Sequence, residues 1–305
     1  SRERLNMWSR WYPPPDWQAF KSHWPLSEHS QWVRTPSMNW HVQQLGQGPS
    51  LVLIHGTGAT THTWRKVAPL LAAHHTVWCV DLPGHGFSSE LQGRAPTPSH
   101  VTSALNELFN ELGLHPKALI GHSAGALIAA HWWLTHHSPA HPCALVAINP
   151  AWQSLPGPAQ WLFPMGAWLV DLNPLSGWLL SQKARHPAVV ERVLAQTGSR
   201  LDSESVDLYR QMWQQAHHVR GVLRLMRAWD LRAVEHRFSE IRTPVQLHVG
   251  SRDATVPPSL AQLAVEQLPE VQLTPWPQLG HLLHEERPVD WVQSLIPWLE
   301  QLRFT

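Results

Sequence analysis

The chain has 305 residues, 43% of them hydrophobic and 15% charged, with 23 Lys and Arg set against 22 Asp and Glu. That length can bury a sizeable core, and a net charge of +1 with no basic stripe excludes a nucleic-acid footprint. The two cysteines, Cys79 and Cys143, each lie inside an apolar run, which excludes a disulfide framework and points to buried, reduced thiols.

No apolar stretch is long enough to cross a bilayer, and the opening residues carry no signal-peptide pattern, so a cytoplasmic location is expected. Tryptophan is in excess, at 19 residues against two Tyr and six Phe. Indole rings suit flat apolar ligands and membrane interfaces. The 22 histidines show no H-E-x-x-H pattern and no Cys/His knuckle, so neither a metal site nor a cofactor is expected. The pairs His74-His75, His136-His137 and His217-His218 read as solvated helix ends.

In chain order, residues 1–36 are polar, rich in Trp and punctuated by Pro13-Pro14-Pro15, and read as an extended arm. Its indoles, among them Trp8, Trp11, Trp17, Trp24 and Trp32, suggest peripheral contact with a membrane surface. Residues 37–45 alternate as a strand and close in a Gly/Pro turn. Apolar strands follow at Leu51–Ile54, Thr76–Val80, Lys117–Ile120 and Ala144–Ile148, separated by helices at Trp64–Ala73, Val101–Leu112 and Ala126–Leu134. Two further strands, Val245–Val249 and Val271–Thr274, lead into helices near 258–268 and 288–302. Strands alternating with helices predict an α/β fold with a mostly parallel central sheet covered on both faces. The helical, Trp-bearing stretch 149–236 interrupts this pattern and reads as a cap, leaving a core of residues 37–148 and 237–305. Its indoles Trp152, Trp161 and Trp229 are candidate substrate-binding residues, because ligands gather at the carboxyl ends of parallel strands.

The pentapeptide Gly121-His122-Ser123-Ala124-Gly125 joins an apolar strand to a helix. Such a G-x-S-x-G turn lifts a serine hydroxyl above the sheet, and the small flanking residues let strand and helix pass closely. The hydroxyl needs a base and a group to orient that base. His281, after the last strand, is the base candidate, and Asp253, after the strand at 245–249, is the acid. Asp81 and Asp230 are rival acids, but Asp81 lies in a structural-looking turn, and the position after the fourth strand holds Asn149. The oxyanion donors are assigned to the backbone amides of Ala124 and of Thr57, in His55-Gly56-Thr57-Gly58.

With its Ser123, Asp253, His281 order and the turn Asp81-Leu82-Pro83-Gly84-His85-Gly86, the chain resembles the lid-bearing α/β-hydrolases. A serine at the turn, in place of aspartate, argues against dehalogenase or epoxide hydrolase chemistry. The stretches His23-Trp24-Pro25, Trp40-His41-Val42-Gln43, Thr197-Gly198-Ser199-Arg200-Leu201 and Ala228-Trp229-Asp230-Leu231-Arg232 are similar to the magnesium-chelatase accessory α/β-hydrolases of bacteriochlorophyll-making bacteria. The resemblance implies a role in photosynthetic tetrapyrrole synthesis, with magnesium chelatase as a partner and an apolar or porphyrin substrate. Two functions fit it: a serine hydrolase cleaving an ester of a large apolar molecule, or a non-catalytic porphyrin holder.

Overall fold

A computed structural model describes residues 12–153, 173 and 175–302. Among the described residues, eight strands form one sheet in the order β1-β2-β4-β3-β5-β6-β7-β8. They are β1 (Ser30–Arg34), β2 (Asn39–Leu45), β3 (Ser50–Ile54), β4 (Thr76–Val80), β5 (Ala118–His122), β6 (Ala144–Ile148), β7 (Val245–Gly250) and β8 (Val271–Trp276). The pairs β1–β2 and β2–β4 are antiparallel, and the rest are parallel.

The central strands are apolar because both faces are covered. Along β3, Val52 and Ile54 pack into one cluster and Leu51 and Leu53 into the other. Helices α3 (Pro98–Leu112) and α4 (Ala124–His136) close the first face. Trp64, the short α2 (Ala68–Leu71) and α11 (Pro288–Gln301) close the second. The helix expected over 64–73 is reduced to a 3-10 turn at Thr61–Trp64 and the four residues of α2. Pro69 accounts for this, since a helix begun earlier would drive its ring into the Arg65 carbonyl.

Part of the expected arm is structured. It holds α1 (Trp17–Phe20) and the edge strand β1. Trp17, Phe20 and Trp24 converge on Phe87 with centroids 5.0–5.3 Å away. Trp24 is buried, whereas Trp32 is exposed, and Trp8 and Trp11 lie outside the described residues.

Between β6 and β7 run α5 (Ser176–Lys183), α6 (Pro187–Ala195), α7 (Ser203–Trp213) and α8 (Ala216–Arg227). α9 (Ser259–Val265) and α10 (Leu283–Glu286) are the remaining α-helices among the described residues. Among the described residues no helix is long and apolar enough to cross a membrane.

α7 and α8 meet the sheet through buried polar groups. Tyr209 of α7 donates to Glu285 of α10 at 2.6 Å, and Thr63 donates to the same oxygen at 2.5 Å. Arg65 reaches the other oxygen at 3.4 Å and donates to Ser205 at 2.7 Å. Glu90 receives Arg220 at 2.9 Å and also pairs with Arg224, both from α8. His217 and His218 are buried here, so they are not solvated helix ends, and His75 is buried too. The pair 217–218 faces inward because both rings find backbone partners: His217 reaches Ser88 O at 2.8 Å, and His218 bridges Gly86 and Gly58.

Candidate active site

Strand registers pairing Ile54 with Gly121, His122 with Ile148, and Ile148 with His248 align the carboxyl ends of β3, β5, β6 and β7 at one edge. The loops carrying residues 55–58, Ser123, Asn149, Asp253 and His281 all leave from this edge.

Ser123 has φ +52° and ψ −114°, a backbone conformation that non-glycine residues rarely adopt. The turn is that sharp because β5 and α4 are packed almost backbone to backbone. A Cβ on Gly121 would lie 2.4 Å from Ala126 N, and one on Gly125 would lie 2.1 Å from Ile54 O. Two hydrogen bonds hold the turn: Ser123 N–H donates to Ile148 O at 2.9 Å, and Ser123 O accepts from Ala151 N–H at 3.2 Å.

His281 and Asp253 are brought together, with Nδ1 2.7 Å from Oδ2 and both side chains buried. The other carboxylate oxygen accepts the Thr255 and Val256 amides at 2.8 and 2.9 Å, which fixes the acid's orientation. His281 lies against the ring of His122, the residue before Ser123, with centroids 4.7 Å apart. His122 donates through Nε2 to the His281 carbonyl at 2.8 Å. Burial, then the neighbouring imidazoles of His281 and His284, hold the His122 pKa well below its usual value, so it serves as a neutral donor.

The loop after β3 touches the serine. A Cβ on Gly56 would stand 3.0 Å from Ser123 Cβ. Gly56 O accepts from His55 Nδ1 at 2.7 Å, and His55 Nε2 accepts the Leu82 amide at 2.9 Å. Among the described residues neither Thr57 nor Ala124 gives its amide to a protein acceptor. Ala124 is the first residue of α4, where helix amides are free of intrahelical bonds.

The rival acids lie elsewhere. Asp81 is fully buried, bonded to His41 at 2.7 Å and to the amides of Thr61 and Phe87. Burial alone would raise its pKa, but His41, then His55 and the Phe87 amide, bring it down to about 2. Asp230 forms a forked surface pair with Arg232 at 2.9 and 3.0 Å. Trp152 is a core side chain, fully buried against Phe238, and Trp229 packs on the same cluster. The Trp152 ring is taken up by packing and the Trp229 ring is partly buried, and a Trp count does not distinguish such packing from lining a pocket. Trp161 lies outside the described residues.

Two groups went unrecognised in the sequence. Asn149 stands where an acid was sought, at φ +43° and buried. Its Nδ2 donates to the carbonyls of His281 and Gly280 at 2.8 and 3.1 Å, and its Oδ1 accepts the Gly250 amide at 2.9 Å. It therefore ties the histidine loop to the end of β7. The second is Thr197-Gly198-Ser199, between α6 and α7. Thr197 O accepts the amides of Ala254 and His281 at 3.3 and 3.2 Å, so one carbonyl clasps the acid loop and the base loop. Gly198, at φ +80°, is obligatory, because a Cβ would fall 1.9 Å from Arg252 O. The resemblance in Thr197–Leu201 was the available signal for this segment.

A strained serine turn over a parallel sheet, with a His–Asp pair and a glycine loop at the same edge, is the architecture of an α/β-hydrolase. Residues 51–294 match the model of the alpha/beta hydrolase family, and the chain belongs to it. It is 32% identical over 287 residues to the magnesium-chelatase 30 kDa subunit of Rhodobacter capsulatus, covering 93% of this chain and 99% of that protein. It is also 32% identical over 274 residues to a pimeloyl-[acyl-carrier protein] methyl ester esterase of Chromobacterium violaceum, covering 86% and 99%. An esterase from Exiguobacterium antarcticum shares the fold, with a TM-score of 0.73, 16% identity, and coverage of 89% and 99%.

Proposed function

We propose that this protein is a serine hydrolase cleaving an ester or similar acyl bond of a large apolar substrate of the tetrapyrrole class, in bacteriochlorophyll biosynthesis alongside magnesium chelatase. The observation that carries the chemistry is the 2.7 Å bond between His281 and Asp253, at the same edge of the sheet as a serine held at φ +52°. With Nδ1–H donating to Asp253, the Nε2 lone pair of His281 is the base for Ser123. Ser123 Oγ bonds to the acyl carbon and its proton passes to Nε2. The tetrahedral oxygen takes its negative charge between the amides of Thr57 and Ala124. Collapse breaks the ester bond, and the leaving alkoxide takes the proton from Nε2. Water, deprotonated by the same nitrogen, then releases the acid and restores Ser123. Helices α5 to α8, the described α-helices of the stretch 149–236, serve as the cap over this edge.

The biosynthetic setting is supported by end-to-end similarity to the Rhodobacter capsulatus protein, and the ester chemistry by equal identity to the Chromobacterium violaceum esterase. Peripheral membrane contact rests on exposed Trp32 alone among the described arm indoles, and liposome co-sedimentation tests it.

The decisive experiment is labelling with a fluorophosphonate, together with complementation of a pathway mutant. Wild type should label and Ser123→Ala should not, with loss of a triad member costing several powers of ten in rate. Full complementation by Ser123→Ala would replace the enzyme with a porphyrin holder.

A further inference from the structure

The direction of the Thr57 amide depends on the peptide planes around it, the first of which His55 Nδ1 already holds through Gly56 O at 2.7 Å. Each plane is rigid, and in a trans peptide the C=O and the N–H point in opposite directions. The Gly56 carbonyl and the Thr57 N–H share one plane, and the Gly58 carbonyl and the Ala59 N–H share another. The two planes are joined by a hydrogen bond, because Ala59 N–H donates to Gly56 O at 3.2 Å. Whatever holds Gly58 O is therefore a second restraint, beside His55, on the direction of the Thr57 N–H.

Two side chains from the cap hold Gly58 O. Trp213, the last residue of α7, donates its Nε1–H at 3.0 Å. His218 of α8 reaches the same oxygen through Nε2 at 3.2 Å. The His218 tautomer is fixed by its other nitrogen: Nδ1 accepts the Gly86 amide at 3.1 Å, so the proton is on Nε2 and points at Gly58. Burial first of all pushes the pKa of this imidazole down to about 3, so it stays neutral at any physiological pH. Gly58 itself has φ +85°, and a Cβ there would lie 2.9 Å from the Trp213 ring.

We propose that Trp213 and His218 are positioning residues of the oxyanion hole: acting through two linked peptide planes, the cap sets the direction of the Thr57 N–H. This deepens the hydrolase reading and rests on it. It gives the cap a part in the chemistry besides covering the substrate, since the amide that receives the developing charge is held from α7 and α8. A small misdirection of such a donor is costly, because the oxyanion exists only at the transition state.

The test uses the full-length protein with three probes: a fluorophosphonate, p-nitrophenyl acetate and an aliphatic trifluoromethyl ketone. Trp213→Phe and His218→Phe should each slow phosphonylation by on the order of tenfold. The trifluoromethyl ketone, which binds as a tetrahedral oxyanion, should weaken by the same factor, while KM for p-nitrophenyl acetate stays within about twofold. His218→Gln keeps a donor and should recover most of the rate. Folded variants that label at the wild-type rate, or whose loss lies entirely in KM, overturn the proposal. If His218→Phe does not fold, Trp213→Phe carries the test, because it removes one N–H from a half-buried ring. Wild type that fails to label brings down the hydrolase reading and this inference together. Wild type that labels beside equally reactive variants brings down the inference alone.

Discussion

Along β3, β5 and β6 the buried side chains are almost all Leu, Val, Ile and Ala, paired strand to strand in register. At the seam where α7 and α8 meet the sheet edge, the buried side chains are Arg65, Glu285, Tyr209, His218, Arg220 and Glu90, all bonded to one another or to backbone. Burial of the first kind gains free energy roughly in proportion to area and tolerates small changes of shape. Burial of the second kind gains little net stability but is costly to disrupt, since removing one partner strands the other without water. The candidate site lies on the second kind. The sheet provides a stable platform, and at the polar seam His218 holds the loop after β3 through Gly58 O.

Acid should have the largest effect, and it reaches both regions, since His218 lies at the seam and His248 lies in β7. Burial, before any other cause, brings the imidazoles of His218, His248 and His284 down to about 3, and it also lowers His55, His62, His85 and His122. In the unfolded chain each titrates at its ordinary value of 6.5. The unfolded state therefore binds more protons below that pH, and stability falls as pH falls. Each imidazole that must stay neutral costs about 1.4 kcal/mol per pH unit. By pH 5 the three at about 3 together remove on the order of 6 kcal/mol, comparable to the whole stability of many domains. Glu285, which burial raises, works weakly in the opposite sense, and Asp81 adds its loss only below pH 4, toward about 2. Melting temperature should drop steeply between pH 7 and pH 5, with His218→Gln removing part of the slope. A flat profile over that interval would show that these buried histidines are not held neutral.

Breaking one ion pair at the seam should have the next largest effect. Arg65→Met leaves Glu285 buried with only Tyr209 and Thr63 as donors, and it also removes the contact to Ser205. The expected loss is about 3–5 kcal/mol in denaturant unfolding. Adding Glu285→Gln should restore most of it, because the stranded charge is then gone. A single variant as stable as wild type would mean that water already reaches this pair.

How much of this was legible in the sequence follows from the same contrast. Runs such as Leu51–Ile54 and Ala144–Ile148 announce buried parallel strands, because only such strands are apolar on both faces. The serine turn was legible because its steric demand falls within five consecutive residues. The polar edge strand Ser-Gln-Trp-Val-Arg was missed, since its exposed face carries no apolar period. The seam was illegible for a different reason. His218 finds its partners 132 and 160 residues earlier in the chain, and Tyr209 finds Glu285 76 residues later. No local pattern encodes such pairs, so buried histidines read as solvated ones. Asn149 follows the fourth parallel strand with no local sign of its partners, and only the fold brings Gly250, Gly280 and His281 within its reach.

The smallest effect is also the most discriminating, because it makes one chemical change in both regions. Trp291 is fully buried among Trp64, Leu71 and Leu295, and its Nε1 has no partner among the described residues. Trp213 is half-buried, and its Nε1 donates to Gly58 O. In the sheet cluster, Trp291→Phe loses packed area and leaves a void, but it removes an unpaired donor, which offsets part of the loss. The expected cost is about 1–2 kcal/mol of stability with labelling of Ser123 unchanged. At the seam, Trp213→Phe should cost about 1 kcal/mol or less, since its ring is partly in water, and yet slow labelling. If both variants lose stability and rate in parallel, the reaction rate simply tracks overall rigidity, and the division of labour between platform and seam fails.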